Sequence, residues 1–263
     1  MSTMERYAAG TPSWVDLVTS DPDGARAFYG ALFGWEFDVG PAETGFYTRC
    51  RVRGHEVAGM VGQPSTETPT SWTTYFATDD ADEVAQRVAE AGGRVFMGPD
   101  DVLDQGRLVL GVDPTGAVFG VWQARAHVGA TLVNEPDTVI WNELATRDLP
   151  AALAFYSAVL GVGWEPYDTG EQGPAYQLLK AGDTVVGGAM AMTDQWPAEM
   201  PAHWMTYFAV RNAEAAVARA QELGGTVTVP VTDSQQGPFA VLRDPQGGVF
   251  SVIAASDEQA ETA

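Results

Sequence analysis

The chain contains the same pattern twice, and this duplication is the strongest constraint on its fold. The segment WVDL at 14–17 is answered by WNEL at 141–144, 127 residues later (141 − 14), and Phe28-Tyr29 is answered by Phe155-Tyr156 at the same spacing (155 − 28). SWTTYF at 71–76 likewise matches HWMTYF at 203–208, and DPTGAVF at 113–119 matches DPQGGVF at 244–250. A period above 100 residues indicates duplicated domains, since solenoid repeats are far shorter.

The 263 residues therefore divide into two units of roughly 115 residues each, a size at which each half can bury its own core. We expect one domain over residues 12–123, a linker over 124–138 and a second domain over 139–254. Residues 1–12 show no periodicity and predict a loose arm. The acidic, small-residue tail at 255–263 predicts disorder.

Charge and composition exclude several classes of function. With 14 basic and 35 acidic residues, the formal charge of −21 disfavours phosphate backbones and anionic lipid, so we expect neither nucleic acid nor a membrane as a partner. No signal-peptide pattern and no apolar run of about 20 residues is present, which favours a cytoplasmic location. The lone Cys50 allows no internal disulfide and is expected to be a packing residue. The chain is expected to be a monomer or a homodimer.

The sequence pattern of each half predicts two successive βαβββ modules. In the first, Trp14 to Thr19 alternates as a half-buried strand does, Asp21 and Pro22 begin a helix that Gly34 ends, and three short strands follow. Gly59 within the last of these strands indicates that a ligand or a neighbouring strand comes close to its backbone. Further helices are predicted near 80–91, 149–160 and 213–223. The fold class is therefore α+β, with four βαβββ modules.

These landmarks resemble the vicinal oxygen chelate superfamily, which includes glyoxalase I, the bleomycin-resistance proteins and the extradiol dioxygenases. The resemblance rests on Asp21, Phe28-Tyr29 and Gly34 with their counterparts in the second half, and on the closing Asp-Pro-x-Gly-x-x-Phe hairpins. It covers about residues 12 to 254, and the doubled form more particularly resembles the two-domain glyoxalase-like proteins of actinobacteria. It implies that modules pair into two cup-shaped glyoxalase-like domains, with binding or catalysis inside a cup.

The resemblance also implies where metal-dependent members would hold a divalent ion. The corresponding positions here are Trp14, about Thr73 and Gly120 in the first half, and Trp141, about Met205 and Ser251 in the second. None of these side chains is a competent ligand, and a metal ion of this class needs about three protein ligands. We therefore expect no metal at the usual position and no cofactor, and the glyoxalase and ring-cleaving mechanisms of the family are not supported.

Strand periodicity predicts what lines the cups instead. Residues two apart share a face, so Asp16 follows Trp14 and Glu143 follows Trp141. On the neighbouring strands, Thr73 and Tyr75 share a face in the first half, as His203, Met205 and Tyr207 do in the second. The candidate catalytic residues are Glu143, His203, Tyr207 and Asp16, and the candidate ligand-binding residues are Trp14, Thr73, Tyr75, Trp141, Met205 and Ser251.

Other interpretations of the same residues stay open. In the alternative interpretation, the carboxylates of Asp16 and Glu143 are solvated or accept a hydrogen bond from a nearby backbone N–H. Only the second cup is expected to offer an imidazole, His203, which makes it the more capable site; His55 and His127 are assigned no role. On the opposite strand face, large aromatic residues are expected in the core beneath the helices: Trp72, Phe76, Trp204 and Phe208.

Three functions fit this sequence. The first is a metal-independent lyase, isomerase or cyclising tailoring enzyme in which a pocket carboxylate is the general acid–base. The second is a binding protein that sequesters an aromatic or polycyclic natural product, as the bleomycin-resistance branch does. The third is a metalloenzyme with a relocated site. In each, the partner is a small molecule held in a cup.

Overall fold

The computed structural model describes residues 2–170 and 173–254; the predicted disordered tail lies outside the described residues. Module one contains β2 (Pro12–Thr19), α1 (Pro22–Phe33), β3 (Glu36–Val39), β4 (Thr48–Val52) and β5 (His55–Gly62). Module two contains β6 (Ser71–Ala77), α2 (Ala81–Glu90), β7 (Arg94–Val102), β8 (Gly106–Val112) and β9 (Val118–Ala124). Two short strands, β1 (Ser2–Thr3) and β10 (Leu132–Val133), flank this half.

The second half repeats this order. Module three contains β11 (Val139–Thr146), α3 (Leu149–Leu160), β12 (Gly163–Tyr167), β13 (Tyr176–Ala181) and β14 (Thr184–Ala191). Module four contains β15 (His203–Ala209), α4 (Ala213–Glu222), β16 (Thr226–Thr232), β17 (Phe239–Arg243) and β18 (Val249–Ile253). The predicted α+β class and the four βαβββ modules are confirmed.

Each half forms one 8-stranded mixed sheet. The strand orders are β3-β4-β5-β2-β6-β9-β8-β7 and β12-β13-β14-β11-β15-β18-β17-β16, so the two sheets have the same topology. In each sheet the first strands of the two modules, β2 with β6 and β11 with β15, pair antiparallel at the centre. These central strands carry the duplicated Trp-x-acid and Tyr landmarks, which therefore meet in the middle of each cup.

The helix boundaries follow from local capping. Asp21 caps α1 by accepting a hydrogen bond from the Gly24 N–H at 3.0 Å, and Asp148 caps α3 through the Ala151 N–H at 3.1 Å. Gly34 and Gly161 end these helices in the left-handed conformation, each at φ 69°, which a residue with a Cβ adopts only at a cost.

The two hydrophobic cores are shared between the halves, so the expectation that each half buries its own core is wrong. In one core, Tyr29 on α1 packs against Phe250 of the second sheet, with ring centroids 5.4 Å apart. In the other, Tyr156 on α3 packs against Phe119 of the first sheet at 5.5 Å. The aromatic residues predicted to lie beneath the helices are all buried in these cores: Trp72, Phe76, Trp204 and Phe208.

Two reciprocal hydrogen bonds join the halves through the repeated motifs. The Tyr29 hydroxyl donates to Asp244 Oδ2 at 2.9 Å, and the Tyr156 hydroxyl donates to Asp113 Oδ2 at 3.0 Å. Each tyrosine belongs to a Phe-Tyr pair, and each aspartate opens the Asp-Pro-x-Gly turn of the other half. Both motifs that define a module thus have their partners in the opposite half.

The N-terminal arm is paired rather than loose, which corrects the sequence-based expectation. Its strand β1 pairs antiparallel with β10, and the Tyr7 hydroxyl donates to the Ala130 carbonyl at 2.6 Å. The linker at 124–138 is thereby held against the first half. The domain limits, 12–123 and 139–254, stay predictions. Among the described residues, no helix is long and apolar enough to cross a membrane.

The shared cores predict that neither half folds alone. A fragment of residues 1–126 would expose the faces of α1 and α2 that pack on the second half, and a fragment of 127–263 would expose the matching faces of α3 and α4. We expect each purified fragment to lack a cooperative unfolding transition, and an equimolar mixture to recover one. A cooperative transition in either isolated fragment would contradict the shared-core description; circular dichroism with urea titration measures it.

The reciprocal bonds predict matched losses of stability. Tyr29→Phe and Tyr156→Phe each remove one buried hydroxyl donor and leave a carboxylate oxygen short of a partner, so each should lower the free energy of unfolding by about 1–3 kcal/mol. Urea denaturation of both variants measures the loss. Tyr167→Phe, whose hydroxyl bonds at the exposed surface with Gln235, is the control and should change stability by less than about 0.5 kcal/mol.

Candidate active site

Strand β2 presents its alternate residues to two environments. Val15 and Leu17 face the core shared with the second half, whereas Trp14 and Asp16 face the concave side of the first sheet. The neighbouring strand β6 places Tyr75 opposite Trp14 and Thr73 opposite Asp16. The predicted inward-facing set of the first cup is therefore brought together in space.

In the first cup, two tyrosines converge on one carboxylate. Tyr75 donates to Asp16 Oδ2 at 3.0 Å, and Tyr47 donates to the same oxygen at 3.3 Å. Tyr47 in turn accepts a hydrogen bond from Trp14 Nε1 at 2.7 Å. Trp14, Tyr47, Asp16 and Tyr75 therefore form a connected polar group, which we call the first tetrad.

Glycines make room for the tyrosines of the tetrad. A Cβ on Gly59, which pairs with Asp16 across β2 and β5, would lie 1.9 Å from the Tyr47 hydroxyl oxygen, and one on Gly120 would lie 2.1 Å from the Tyr75 ring. The close approach predicted at Gly59 is therefore made by Tyr47, a residue that sequence reasoning did not assign to the site.

Asp16 combines burial with one unused oxygen. Burial raises the pKa of Asp16 from 3.8 to about 7, although the hydrogen bonds from Tyr75 and Tyr47 pull it downward. Both tyrosines bond Oδ2, and Oδ1 is buried with no partner among the described residues. A proton on the carboxyl group therefore belongs on Oδ1.

The second half repeats the tetrad with one change. Trp141 Nε1 donates to the Tyr176 hydroxyl at 3.0 Å, and Tyr176 donates to Glu143 Oε2 at 2.7 Å. Tyr207 donates to the other oxygen, Glu143 Oε1, at 3.1 Å. Burial raises the pKa of Glu143 as well, against these two hydrogen bonds. Each glutamate oxygen thus has its own tyrosine, unlike the oxygens of Asp16.

The remaining predicted residues of the second half lie near this tetrad without bonding to Glu143. Met205 is the strand partner of Glu143, and Ser251 is the strand partner of Tyr207. His203 pairs with Ala145, two residues along β11 from Glu143, and its Nδ1 lies 2.9 Å from the Pro201 carbonyl oxygen. Glu143 is therefore bonded to Tyr176 and Tyr207, and among the described residues it has no hydrogen bond to His203, the imidazole expected in the second cup.

A cavity of about 620 Å³ opens above the first tetrad. Its apolar walls include Trp14, Trp122 and Leu108, and its polar lining includes Arg49 and His127. The His127 ring meets Trp14 edge to face at 4.5 Å, and its Nδ1 lies 3.0 Å from Glu56 Oε2. The expectation that only the second cup offers an imidazole is therefore wrong, because the linker carries His127 into the first.

Two of the residues that sequence reasoning missed have a signal in the repeat. Tyr47 and Tyr176 occupy matching positions 129 residues apart (176 − 47), each beside a strand whose glycine faces the carboxylate. Trp14 and Trp141 repeat likewise and donate to these tyrosines. His127 has no such signal, because it comes from the segment between the halves.

The residues at the family's metal positions do not fit a metal ion. The Trp14 and Trp141 indoles donate hydrogen bonds to tyrosines, the space at Gly120 is filled by the Tyr75 ring, and a tryptophan N–H offers no lone pair to a metal. Within 2–170 and 173–254, no three His, Cys, Asp or Glu side chains are grouped to hold an ion. We assign no step to a metal.

The pKa of Asp16 predicts a pH-dependent stability. Its protonated form is favoured in the folded state, so the fold is destabilised as pH rises from about 4 to about 7, by at most about 4 kcal/mol at roughly 1.4 kcal/mol per unit. Asp16→Asn keeps an oxygen for both tyrosines and cannot ionise. The variant should therefore gain stability relative to the original chain over that range, as urea denaturation at a series of pH values measures. Parallel pH profiles would contradict the assignment.

Family models and relatives of known name match both halves of this chain. Residues 11–121 match the model of the glyoxalase/bleomycin resistance protein/dioxygenase superfamily, and residues 137–253 match that of a glyoxalase-like domain. CFP32 of Mycobacterium tuberculosis, whose name carries a provisional glyoxylase label, is 44% identical over 98% of this chain and 100% of its own length. The anthracycline biosynthesis protein DnrV of Streptomyces peucetius is 40% identical over 95% of each chain.

Solved structures share the fold at low identity. The Mn(II)-bound glyoxalase from Novosphingobium aromaticivorans superposes with a TM-score of 0.65 at 16% identity, over 94% of this chain and 82% of its own. The 2,3-dioxygenase LapB from Pseudomonas sp. KL28 gives the same TM-score at 13% identity, over 95% and 93%. At such identities the likeness concerns the fold alone.

Proposed function

This chain belongs to the glyoxalase/bleomycin resistance protein/dioxygenase superfamily, and from that premise we propose that it binds a small aromatic or polycyclic molecule in the first cup and acts on it without a metal. The proposed reaction class is that of a lyase, an isomerase or a cyclising tailoring enzyme. Asp16 is the general acid–base, and Tyr47 and Tyr75 hold its carboxyl group. The observation that supports this proposal is the unpartnered Oδ1 of Asp16, a buried residue that lines the cavity.

The environment of Asp16 suits proton transfer. A general acid–base works best when its pKa lies near the working pH, and burial brings the pKa of Asp16 to about 7. Tyr47 and Tyr75 stabilise the carboxylate once the proton has left, because both donate to Oδ2. Oδ1 is free to take a proton from an acidic C–H of the ligand and to return it elsewhere on the same molecule.

The walls of the cup support an aromatic ligand. Trp14, Tyr75 and Trp122 form a buried aromatic cluster on the concave face, with Val102, Leu108 and Leu110 packed against it. Flat apolar walls with a few polar groups suit a planar ring system. The relative DnrV is named for anthracycline biosynthesis, which makes a polycyclic aromatic ketone the first class to test.

Sequestration is the second candidate function. A cavity of about 620 Å³ with an aromatic cluster on its wall can hold a polycyclic compound with no chemical step. In that case Asp16 would contribute a hydrogen bond to the ligand and nothing to its conversion. The two candidates differ in whether proton exchange on the bound molecule is accelerated.

The proposal extends to the setting of the protein. We place it in the cytoplasm, as a monomer or homodimer with a small molecule as its partner. Cys50 is free and buried, which is compatible with a reducing compartment. The second cup, with Glu143, Tyr207 and Trp141, is proposed as a subsidiary binding site, with Met205 and Ser251 near its ligand.

Hydrogen–deuterium exchange on a model ligand tests the proposal. Anthrone is a tricyclic aromatic ketone with acidic methylene protons, and its exchange in deuterated buffer can be followed by proton NMR. We expect the protein to accelerate this exchange, and we expect Asp16→Asn to lower the acceleration about 100-fold or more while anthrone still binds. Binding is measured by quenching of tryptophan fluorescence.

Glu143→Gln is the matched control, because it makes the same change in the second tetrad. It should leave the exchange rate unchanged if the first cup is the active one. Binding without accelerated exchange would favour sequestration. Absence of binding to the original chain would contradict the proposal, and equal losses in both variants would assign activity to both cups.

A further inference from the structure

The tetrad leaves a second polar cluster of the first cup unexplained. Glu56 on β5 accepts a hydrogen bond from Arg49 Nη1 at 3.3 Å and one from Arg51 Nη2 at 3.0 Å, while His127 Nδ1 lies 3.0 Å from its other oxygen. Arg49 also donates to Gln105 Oε1 at 2.8 Å. Arg49, Gln105 and His127 line the cavity, and none of them contacts the tetrad through a hydrogen bond in the described residues.

The sheet fixes where this cluster lies relative to Asp16. Gly59 pairs with Asp16 on one side and with Arg49 on the other, so the three residues form one row across β2, β5 and β4. Asp16 and Arg49 are thus two strand spacings apart, roughly 10 Å along the sheet. The Tyr47 hydroxyl occupies the space over Gly59 between them. Asp16, Tyr47 and Arg49 line the same cavity, so a flat molecule in that cavity that lies against Tyr47 can reach both groups.

His127 is held firmly in this position. The Trp122 indole donates to the His127 carbonyl at 2.8 Å, and the His127 N–H donates to the Gln105 carbonyl at 3.0 Å. Although burial alone would raise the pKa of Glu56, the hydrogen bond and charge of His127 and the neighbouring arginines lower it to about 2. His127 Nδ1 therefore lies within hydrogen-bonding distance of the Glu56 carboxylate, and Nε2 is the ring nitrogen with no partner among the described residues.

Acidic residues also line the cavity, and their positions distinguish them from this cluster. Asp38 and Asp101 have side chains 59% and 49% exposed and are paired with Arg51 and with Arg107, respectively. The His127 side chain is only 10% exposed. Asp38, Asp101 and the exposed Glu43 of the same lining therefore lie toward solvent, whereas His127 lies deep in the cup.

We propose that Arg49 and His127, the latter oriented by Glu56, form a binding site for a negatively charged oxygen of the ligand, about 10 Å from Asp16 along the sheet. This inference rests on the proposed function and names the substrate class of that site. The ligand would be a planar aromatic compound with an acidic C–H near one end and a carboxylate, phenolate or enolisable carbonyl oxygen toward the other.

The site would stabilise negative charge that develops on the ligand oxygen, as a metal ion does in other enzymes. When Asp16 Oδ1 takes the proton, the C–H bond breaks and its electron pair forms a conjugated C=C bond. The electrons of the conjugated carbonyl move to its oxygen, which becomes an oxyanion. Hydrogen bonds from the Arg49 guanidinium stabilise that oxyanion, and an N–H at His127 Nε2, with Nδ1 beside Glu56, would add another. Returning the proton from Asp16 to another atom of the ligand completes an isomerisation with no other reactant.

The second cup has the same fold but lacks this cluster. The fold alone therefore does not account for the cluster. Leu178 stands in the row position of Arg49, paired with Gly188 as Arg49 is paired with Gly59. Val185 matches Glu56 at the same spacing of 129 residues (185 − 56) and is 37% exposed. Among the described residues, the positions of the second half that match Arg49 and Glu56 thus carry apolar side chains.

Two nearly isosteric probes test the inference: anthraquinone-2-carboxylate and anthraquinone-2-carboxamide. They have the same rings and differ in charge at one end. We expect the carboxylate to bind about tenfold more tightly than the carboxamide, even though the chain carries a formal charge of −21 that repels anions in general. Dissociation constants come from quenching of tryptophan fluorescence, with Trp14 and Trp122 on the cavity wall.

Variants identify the groups responsible. Arg49→Leu, which installs the residue of the second cup, and His127→Ala should each reduce or abolish the preference for the carboxylate while the affinity for the carboxamide stays within about twofold. Arg94→Leu removes one exposed positive charge from the same half outside the cavity lining, and it should keep the full preference.

The outcomes separate the two proposals. If the carboxamide binds and the carboxylate binds no better, the oxyanion site is wrong while the proposed aromatic ligand stands. If neither probe binds, both proposals fail. A preference that survives Arg49→Leu and His127→Ala also overturns the inference. Since the comparison of the two probes on the original chain needs no substitution, a variant that fails to fold leaves the test intact.

Discussion

The packing of each half's helices against the other half's sheet is the interaction on which the rest of this structure depends. Tyr29 and Tyr156 make it specific, because each buries its ring in the opposite core and donates to an aspartate of the opposite turn. With the convex face of each sheet covered in this way, the concave face is left to form a cup. Strand β2 shows both consequences, with Leu17 in the core and Asp16 in the cup.

Placing a carboxyl group in such a cup is costly unless polar groups satisfy it. The two tetrads meet this requirement with tyrosines rather than with cations, and tyrosine hydroxyls stabilise a carboxylate less than an ion pair would. Burial therefore raises the pKa of Asp16 to about 7 in spite of the tyrosine hydrogen bonds, whereas the pKa of Glu56, surrounded by His127 and arginines, falls to about 2. The first half thus contains two carboxyl groups on adjacent strands whose environments shift their pKa values in opposite directions.

The sequence predicted the parts of this fold that depend on local chemistry and repetition. The caps at Asp21 and Gly34, the four modules and the alternation of Trp14 and Asp16 with core residues all follow from short-range rules. The shared cores could not be predicted, because α1 has an apolar face whichever sheet it meets. Tyr47 and His127 were missed for a similar reason: each approaches the cup from a distant part of the chain, Tyr47 over a glycine and His127 from the linker.

The difference between the two cups can be traced to a single methylene and to one strand. Glu143 is longer than Asp16, and its two oxygens are divided between Tyr176 and Tyr207, while the shorter Asp16 presents one oxygen to both tyrosines and keeps the other unpartnered. Across the adjacent strands, Arg49 has become Leu178 in the second half. Duplication provided two copies of the same carboxyl–tyrosine scaffold. In the second half tyrosines bond both carboxylate oxygens, whereas in the first half one oxygen has no partner among the described residues, and Asp16 and Arg49 line a common cavity.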